Sequence, residues 1–600
     1  MQTTEPLIHY QVKLTSTTGH LLNVSLTIEQ PHLQGQVLSL PAWIPGSYMV
    51  RDFAKNIIWI NAQDKNLQEL KVKKLDKQSW QVAPCEGPLH IEYQIYAFDL
   101  SVRGAYINDE MAFFNGTNVF LAVEGQTQTA VKVLLKKPED THLSHWTVAT
   151  TLNTASSNIH NFGEYWASNY DELIDHPVLF GEFDTIPFTA QDVEFELVLA
   201  GGHQADTQRI ASDLAKICNY HLSFFNGPSP IRRYLFITLL TDNAFGGLEH
   251  ISSTALMYSR KDLPNLMESD KMTDGYQVFL SLCSHEFFHT WHVKRTKPEE
   301  LFNVKLNSEK YTEQLWIYEG FTSYYDDLSL LKTGHISQQA YLKVVAQNLT
   351  RLLRNKGRFK QSITGSSFDA WTKFYKQDEG SINHIVSYYN KGAILALCLD
   401  LMIRKESKNQ YSLDDVMQGL WTQYGQLNIP TKIDCVQQII EKDLDLDLSK
   451  FLDMALYSTK ELPTFKLLAE YGIEVSLFAR NGLQDKGGDL GSSPFLIEFG
   501  AMAKPRDIGI ELTQVIEDTA AYNSGLQVGD ILIAIDNWQV SADNLKTQLN
   551  HLSVGQKATL SVLRDKKFKQ LAFIANAAAM DTVALTISNA SLVAAWLGDS

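Results

Sequence analysis

The residues best suited to chemistry stand together at His285-Glu286-Phe287-Phe288-His289, an H-E-x-x-H spacing inside an apolar stretch. On a helix, positions i and i+4 lie one above the other, so both imidazoles can meet one metal ion. Glu286 then sits beside them, placed to polarise a water. Tyr276, Val278, Phe279, Leu280, Leu282, Phe287, Phe288 and Trp291 make the stretch apolar nearly all round, and such a helix is buried. Two histidines and a glutamate in a buried helix need partners. One zinc ion (Zn2+) per chain supplies them, so the motif points to zinc, a general base and hydrolysis.

A tetrahedral catalytic zinc takes a third protein ligand and leaves one position open. Between Leu315 and Tyr325 the only charge is Glu319, in a run of Trp, Ile, Tyr and Phe. A carboxylate there is costly unless paired or metal-bound. Glu299, Glu300, Glu309 and Glu313 lie in polar stretches and read as solvated, which leaves Glu319 as the predicted ligand. Asp326, on the same helical face, either orients a ligand histidine or stands as an exposed acid beside Asp327.

Residues 285–300 together with 315–328 resemble the glycyl aminopeptidase family of zinc metallopeptidases with a C-terminal PDZ domain, relatives of aminopeptidase N in the thermolysin-like clan. The resemblance implies that His285, His289 and Glu319 bind the zinc and that Glu286 is the base. His292 departs from the asparagine more usual at its position and is read as structural. Phe245-Gly246-Gly247-Leu248-Glu249-His250 follows a strand-like run, Tyr234 to Leu240, and resembles the G-x-M-E-N sheet edge of aminopeptidase N. That likeness gives Glu249 the grip on the substrate's free amino group. Gly246 and Gly247 let the substrate backbone come close. An ammonium in a partly dry cleft wants a carboxylate, and the pairing confines cleavage to N-termini. Tyr388-Tyr389-Asn390-Lys391-Gly392 resembles the Y-E-K-G segment of the same relatives. Alignment on Lys391-Gly392 implies that the Tyr389 hydroxyl donates to the oxyanion, with Tyr388 packing in the core. The family also implies release of small N-terminal residues, glycine or alanine. Two alternatives stand beside this reading: a zinc endopeptidase of the same clan, and a catalytically inert PDZ peptide-binding scaffold.

The chain of 600 residues is too long for one core and predicts several domains. A net charge of −16 argues against nucleic acid and against an anionic membrane surface as partners. The five cysteines are scattered and mostly in apolar runs, the pattern of reduced, buried thiols. Residues 1–6 show no basic or apolar leader, and no apolar run approaches the roughly twenty residues that span a bilayer. The expected location is cytoplasmic.

The texture of the sequence predicts a multidomain α+β chain. Residues 1–200 read as an antiparallel β-sandwich-like domain, with alternating runs at Ile8 to Leu14, Leu22 to Ile28, Leu89 to Tyr96 and Val193 to Leu199. It carries Pro41-Ala42-Trp43-Ile44-Pro45-Gly46-Ser47-Tyr48 with Arg51-Asp52-Phe53, a loop fixed by its prolines and glycine that either supports the cleft from outside or, the favoured reading, is purely structural. A second expected loop, Asn108-Asp109-Glu110 with Phe113-Phe114-Asn115-Gly116, borders the substrate pocket. Residues 201–465 read as a thermolysin-like, mostly helical catalytic domain, with helices expected at 206–225, 277–295, 313–331, 338–353, 391–405 and 413–424. Residues 466–494 form a connecting segment, 495–580 resemble a PDZ domain through the long pattern from Val515 to Asp536, and 581–600 form a tail. PDZ domains take peptide termini by strand addition. Ile508 to Leu512 is the expected groove strand, and Ala501 to Asp507 the loop before it. Partners are therefore peptides with a free N-terminus, and a peptide or protein terminus at the PDZ groove.

Overall fold

The computed structural model describes residues 7–156, 158–267, 271–491 and 493–598; the N-terminal reading at residues 1–6 lies outside them. The chain forms two compact units. One comprises residues 1–310 with 421–431, the other 311–420 with 432–600.

The first unit opens with an eight-stranded sheet centred on Ile8–Ser16, Leu21–Ile28 and Leu89–Tyr96. Alternate residues of Ile8–Ser16 are buried, so one face packs inward. The sheet is antiparallel except where Ile8–Ser16 runs parallel to Val131–Leu135. Two four-stranded sheets complete this β region, and Val12, Leu26, Tyr93 and Phe113 belong to one core.

A separate five-stranded sheet follows, in the order Phe183–Ala190, Val193–Ala200, Arg233–Thr241, Ser253–Ser259, Phe245–Glu249. Its centre, Tyr234 to Leu240, is buried throughout, as parallel strands covered on both faces require. Phe245–Glu249 forms the edge, paired among the described residues with Ser253–Ser259 alone. The strand Val193–Ala200 joins this sheet and not the N-terminal ones. Alternation identifies a strand but does not say which sheet it enters.

Helices in the first unit include Thr207–Phe224 and Asp274–Phe288. Thr273 caps the second by accepting from the Tyr276 amide. That helix stops at Phe288, seven residues short of the expected end at Arg295. Val293 has φ 133°, a conformation that a β-branched residue adopts only when its surroundings force it.

The second unit is mostly helical before residue 470. A π-helical turn, Trp316–Phe321, runs into Thr322–Lys332, and Gln338–Arg354 and Tyr388–Glu406 follow. Among the described residues, one helical stretch, Ser381–Glu406, is long and apolar enough to cross a membrane by composition, although the sequence suggests no such run. Within the fold 83% of its apolar window is buried, which fits a core helix.

The segments expected to connect and to trail are partly built in. Ile473–Phe478 pairs with Thr582–Ile587, and the helix Ala590–Leu597 docks through Trp596, whose indole donates to Asp400 Oδ2 at 3.1 Å.

The PDZ region is a sheet in the order Ala501–Arg506, Gly509–Val515, Ile531–Ile535, Lys557–Arg564, Lys567–Ile574. Buried Asp530 is held by Arg564 at 2.8 Å and accepts from the Gln527 amide, which fixes the turn at Gly529. The groove assignment needs correction. Among the described residues, Gly509–Val515 pairs with Ala501–Arg506 on one side and, at Ile510 and Glu511 in the middle of the expected groove segment, with Ile531–Ile535 on the other, which leaves no free edge there for a peptide. Ala501 to Arg506 is a strand, not a loop, and it holds a free edge of the sheet. A turn of only two residues, Asp507 and Ile508, joins the pair into a hairpin.

Candidate functional site

Within the first unit, the helix Asp274–Phe288 and the capping residue His289 carry the histidine motif. The His285 and His289 rings lie 4.7 Å apart, centroid to centroid. The His289 amide still donates to the His285 carbonyl at 3.3 Å, so the i, i+4 relation survives the helix end. His289 Nδ1 lies 2.8 Å from the carbonyl oxygen of His292. A carbonyl only accepts, so Nδ1 carries the proton and Nε2 is the unprotonated nitrogen with the lone pair. That is how a metal-binding histidine is oriented. His292 thus acts through its backbone, aimed by the strained turn at Val293, while its side chain is 1% exposed and packs on Phe288. Beneath the motif, Ser284 Oγ lies 2.8 Å from His221 Nε2. Burial pushes the His221 imidazole down to about 3, so it stays neutral.

The edge strand Phe245–Glu249 lies over this helix. Glu249 and Glu286 are 4% and 5% exposed. Their carboxylates and a His289 ring nitrogen all lie within 4.8 Å of one another. Gly247 makes the approach possible, because a Cβ there would overlap Oε1 of Glu286. Gly46, at φ 87°, lies against Glu249 in the same way, and a Cβ there would overlap both carboxylate oxygens. The proline-rich loop is therefore part of the site. It is anchored by the Ala42 amide on Leu306 O at 2.7 Å and by the Trp43 indole on Ser308 O at 3.0 Å. No described residue pairs with the Glu249 carboxylate. A nearly buried, unpaired carboxylate demands a cation.

Asp175 buttresses the strand from behind. It accepts from Lys294 Nζ at 2.7 Å and from the Ile251 amide at 3.1 Å, and it meets His250 Nδ1 at 3.3 Å. Burial opposes its charge, yet Lys294 and His250 hold its carboxyl well below the usual carboxylate range. One acid thus ties the residues after Glu249 to the turn after His289.

Within the second unit, Glu319 lies in the π-helical turn and is 2% exposed. Such turns are frequent at functional positions. Gly320 packs against Gly392 at the start of the helix Tyr388–Glu406. A Cβ on Gly320 would stand 2.6 Å from the Gly392 Cα. The contact brings Glu319 near Tyr389, and burial first, then the Glu319 charge, raises the Tyr389 hydroxyl well above its ordinary value. Tyr389 stays a neutral donor. Tyr388 is fully buried against Phe374, with ring centroids 4.8 Å apart, as expected of a packing residue.

The sequence reading missed Asp175, which comes from the N-terminal β region, and the roles of Gly46 and of the His292 carbonyl. Only the P-G-S-Y motif around Gly46 carried a signal.

Three family models match the chain. Residues 9–182 match the model for the peptidase M61 N-terminal domain, residues 278–395 that for M61 glycyl aminopeptidase, and residues 488–573 that for the PDZ domain. No curated protein matches. Among solved structures, an aminopeptidase N family protein from Idiomarina loihiensis is similar at 42% identity and TM-score 0.96, covering 98% of this chain and 100% of that one. An M1 zinc metallopeptidase from Deinococcus radiodurans is similar at 13% identity and TM-score 0.47, covering 76% of this chain and 94% of that one. A mutant of that enzyme bound to a Tyr-Ser-Ala substrate gives 14% identity, TM-score 0.46, and coverage of 76% and 94%.

Proposed function

We propose a division of labour among these residues on one premise: this chain belongs to the M61 glycyl aminopeptidase family. It acts as a zinc-dependent aminopeptidase. The single observation that carries the reading is the Glu249 carboxylate, 4% exposed and unpaired among the described residues, within 4.8 Å of a Glu286 oxygen and a His289 nitrogen.

The donor set suits zinc, with imidazole nitrogens from His285 and His289 and a carboxylate oxygen from Glu319. His289 presents Nε2 because His292 O takes Nδ1. All three residues fall inside the matched region 278–395, and the three-ligand set would hold one ion per chain. When bound, zinc supplies Lewis acidity, polarising a carbonyl and bringing a water's pKa towards about 7.

The chain's own groups do the rest. Glu249 holds the substrate ammonium. Gly246 and Gly247 offer a bare strand edge along which the peptide backbone lies. Glu286 takes a proton from the attacking water and returns it to the leaving amine. The Tyr389 hydroxyl donates to the developing oxyanion. The residue released is small, glycine or alanine; the family's description supports glycine. The scattered cysteines, all buried but the half-buried Cys85, support a reducing, cytoplasmic setting. At the PDZ region the free edge Ala501–Arg506 is the strand that would take a peptide terminus.

The test is a panel of aminoacyl substrates with free and N-acetylated amines, run with and without a chelator. Chelator-sensitive turnover confined to free amines supports the reading. Equal turnover of the acetylated set would make the protein an endopeptidase.

A further inference from the structure

The loop from Ser101 to Gly104 plays no part in the mechanism above, yet it is closely specified. Asn115 Nδ2 donates to the carbonyls of Val102 at 2.9 Å and Gly104 at 3.2 Å, and Asn118 Nδ2 donates to that of Arg103 at 3.1 Å. Two asparagine amides, 0% and 2% exposed, thus hold three successive carbonyls. Gly104 seals the turn, since a Cβ there would stand 2.6 Å from Asp99 O. What this framework presents is the Arg103 side chain.

Its guanidinium lies against the edge strand. Nη2 donates to Gly247 O at 3.2 Å, and Nη1 is 3.9 Å from where a Cβ on Gly246 would stand. Nε is sealed from solvent without a partner, and no described carboxylate pairs with Arg103. A half-buried guanidinium that donates, among the described residues, to one backbone carbonyl keeps donors for a ligand, and its planar fork suits a carboxylate.

The strand sets an order. Glu249 marks the substrate amine, Glu286 lies under Gly247, and Arg103 stands at Gly247 and Gly246. A peptide gripped at Glu249 and cut at Glu286 therefore runs on towards Arg103. An extended chain advances about 3.3 Å per residue, so a carboxylate one or two residues past the cut lies roughly 7–10 Å from the amine. That matches the two to three strand positions separating Glu249 from Gly247 and Gly246.

We propose that Arg103 reads a carboxylate one or two residues beyond the scissile bond, so that the preferred substrates are di- and tripeptides with a free C-terminus. This rests on the aminopeptidase reading. An acidic side chain at the same place offers the same chemistry, and the test separates the two sources.

The test measures kcat/KM for Ala-Ala and Ala-Ala-Ala against their C-terminal amides, and for Ala-Asp-amide against Ala-Asn-amide. It uses zinc-loaded full-length wild type, Arg103→Gln and Arg103→Lys. In the wild type at least one free acid should exceed its amide by about tenfold or more, as expected for a charge-assisted pair. The ratio should fall towards one in Arg103→Gln and recover partly in Arg103→Lys. A merely structural Arg103 would lower acid and amide alike and leave the ratio unmoved. A wild-type ratio near one, or one unchanged in Arg103→Gln, overturns the proposal. A preference confined to the Ala-Asp-amide pair overturns the short-peptide class. Absence of turnover on every substrate by the wild type strikes the aminopeptidase reading itself, so the two failures stay distinct.

Discussion

Gly320 and Gly392 pack with their Cα atoms almost in contact. A Cβ on the first would stand 2.6 Å from the Cα of the second, and the reverse distance is 2.7 Å. The close crossing seats the π-helical turn of Glu319 on the helix that opens with Tyr389. The glycines of Y-E-G and of K-G therefore serve one joint.

Gly392→Ala tests that joint. The obstructing atoms are backbone, which cannot swing aside, so the helices must separate. Overpacking of this kind costs about 1–3 kcal/mol. The variant should melt several degrees lower, bind less than one equivalent of zinc, and lose kcat more than KM. Unchanged zinc content by metal analysis would dissociate the crossing from the ligand.

Gly247→Ala probes the first unit. Its Cβ would overlap the Glu286 carboxylate, the proposed base. A displacement of that size at the reacting group should cut kcat about 10²-fold with little change in melting temperature, since the strand lies at a sheet edge. Gly246→Ala, whose Cβ would come no closer than 3.9 Å to Arg103, should cost much less. Steady-state kinetics of the two variants, with circular dichroism as a control, gives the comparison.

The histidine motif, the G-G-L-E edge, the helix at Tyr389 and the PDZ pattern were legible because each is local: a spacing, a turn chemistry, a run of apolar residues. What was not legible depends on residues far apart in sequence. Gly46 meets Glu249 across some two hundred positions, and nothing local to either announces the contact. The early helix stop reflects a strained Val293, which no proline or glycine signals. The PDZ groove was misplaced because a two-residue hairpin turn at Asp507 and Ile508 looks like a loop in sequence, while edge and interior strands share one alternation.

Stability should carry a pH signature from Asp414. Burial first, then the nearby Asp400 charge, raises its carboxyl to about 6, although the Tyr325 hydroxyl donates to it at 2.7 Å. The folded value lies above the unfolded one of about 3.9, so the protonated form is favoured by folding. The contribution is complete below about pH 4 and is lost as pH rises through about 6. Asp414→Asn should match the wild type near pH 4 and exceed it at pH 7.5, by an amount on the order of 3 kcal/mol at most. Thermal melts at both values decide it; a variant less stable at pH 7.5 would show the charged form to be the stabilising one.

The claim that Glu249 makes this a peptidase of free N-termini is tested most directly by one ratio, kcat/KM for a free-amine substrate over its N-acetylated twin, in zinc-loaded wild type and Glu249→Ala. Loss of a desolvated charge partner costs about 2–5 kcal/mol. The ratio should therefore be at least about 30 in the wild type and collapse towards one in the variant, through loss of the free-amine rate. A wild type that cleaves both substrates equally, or a ratio that survives in Glu249→Ala, would contradict it.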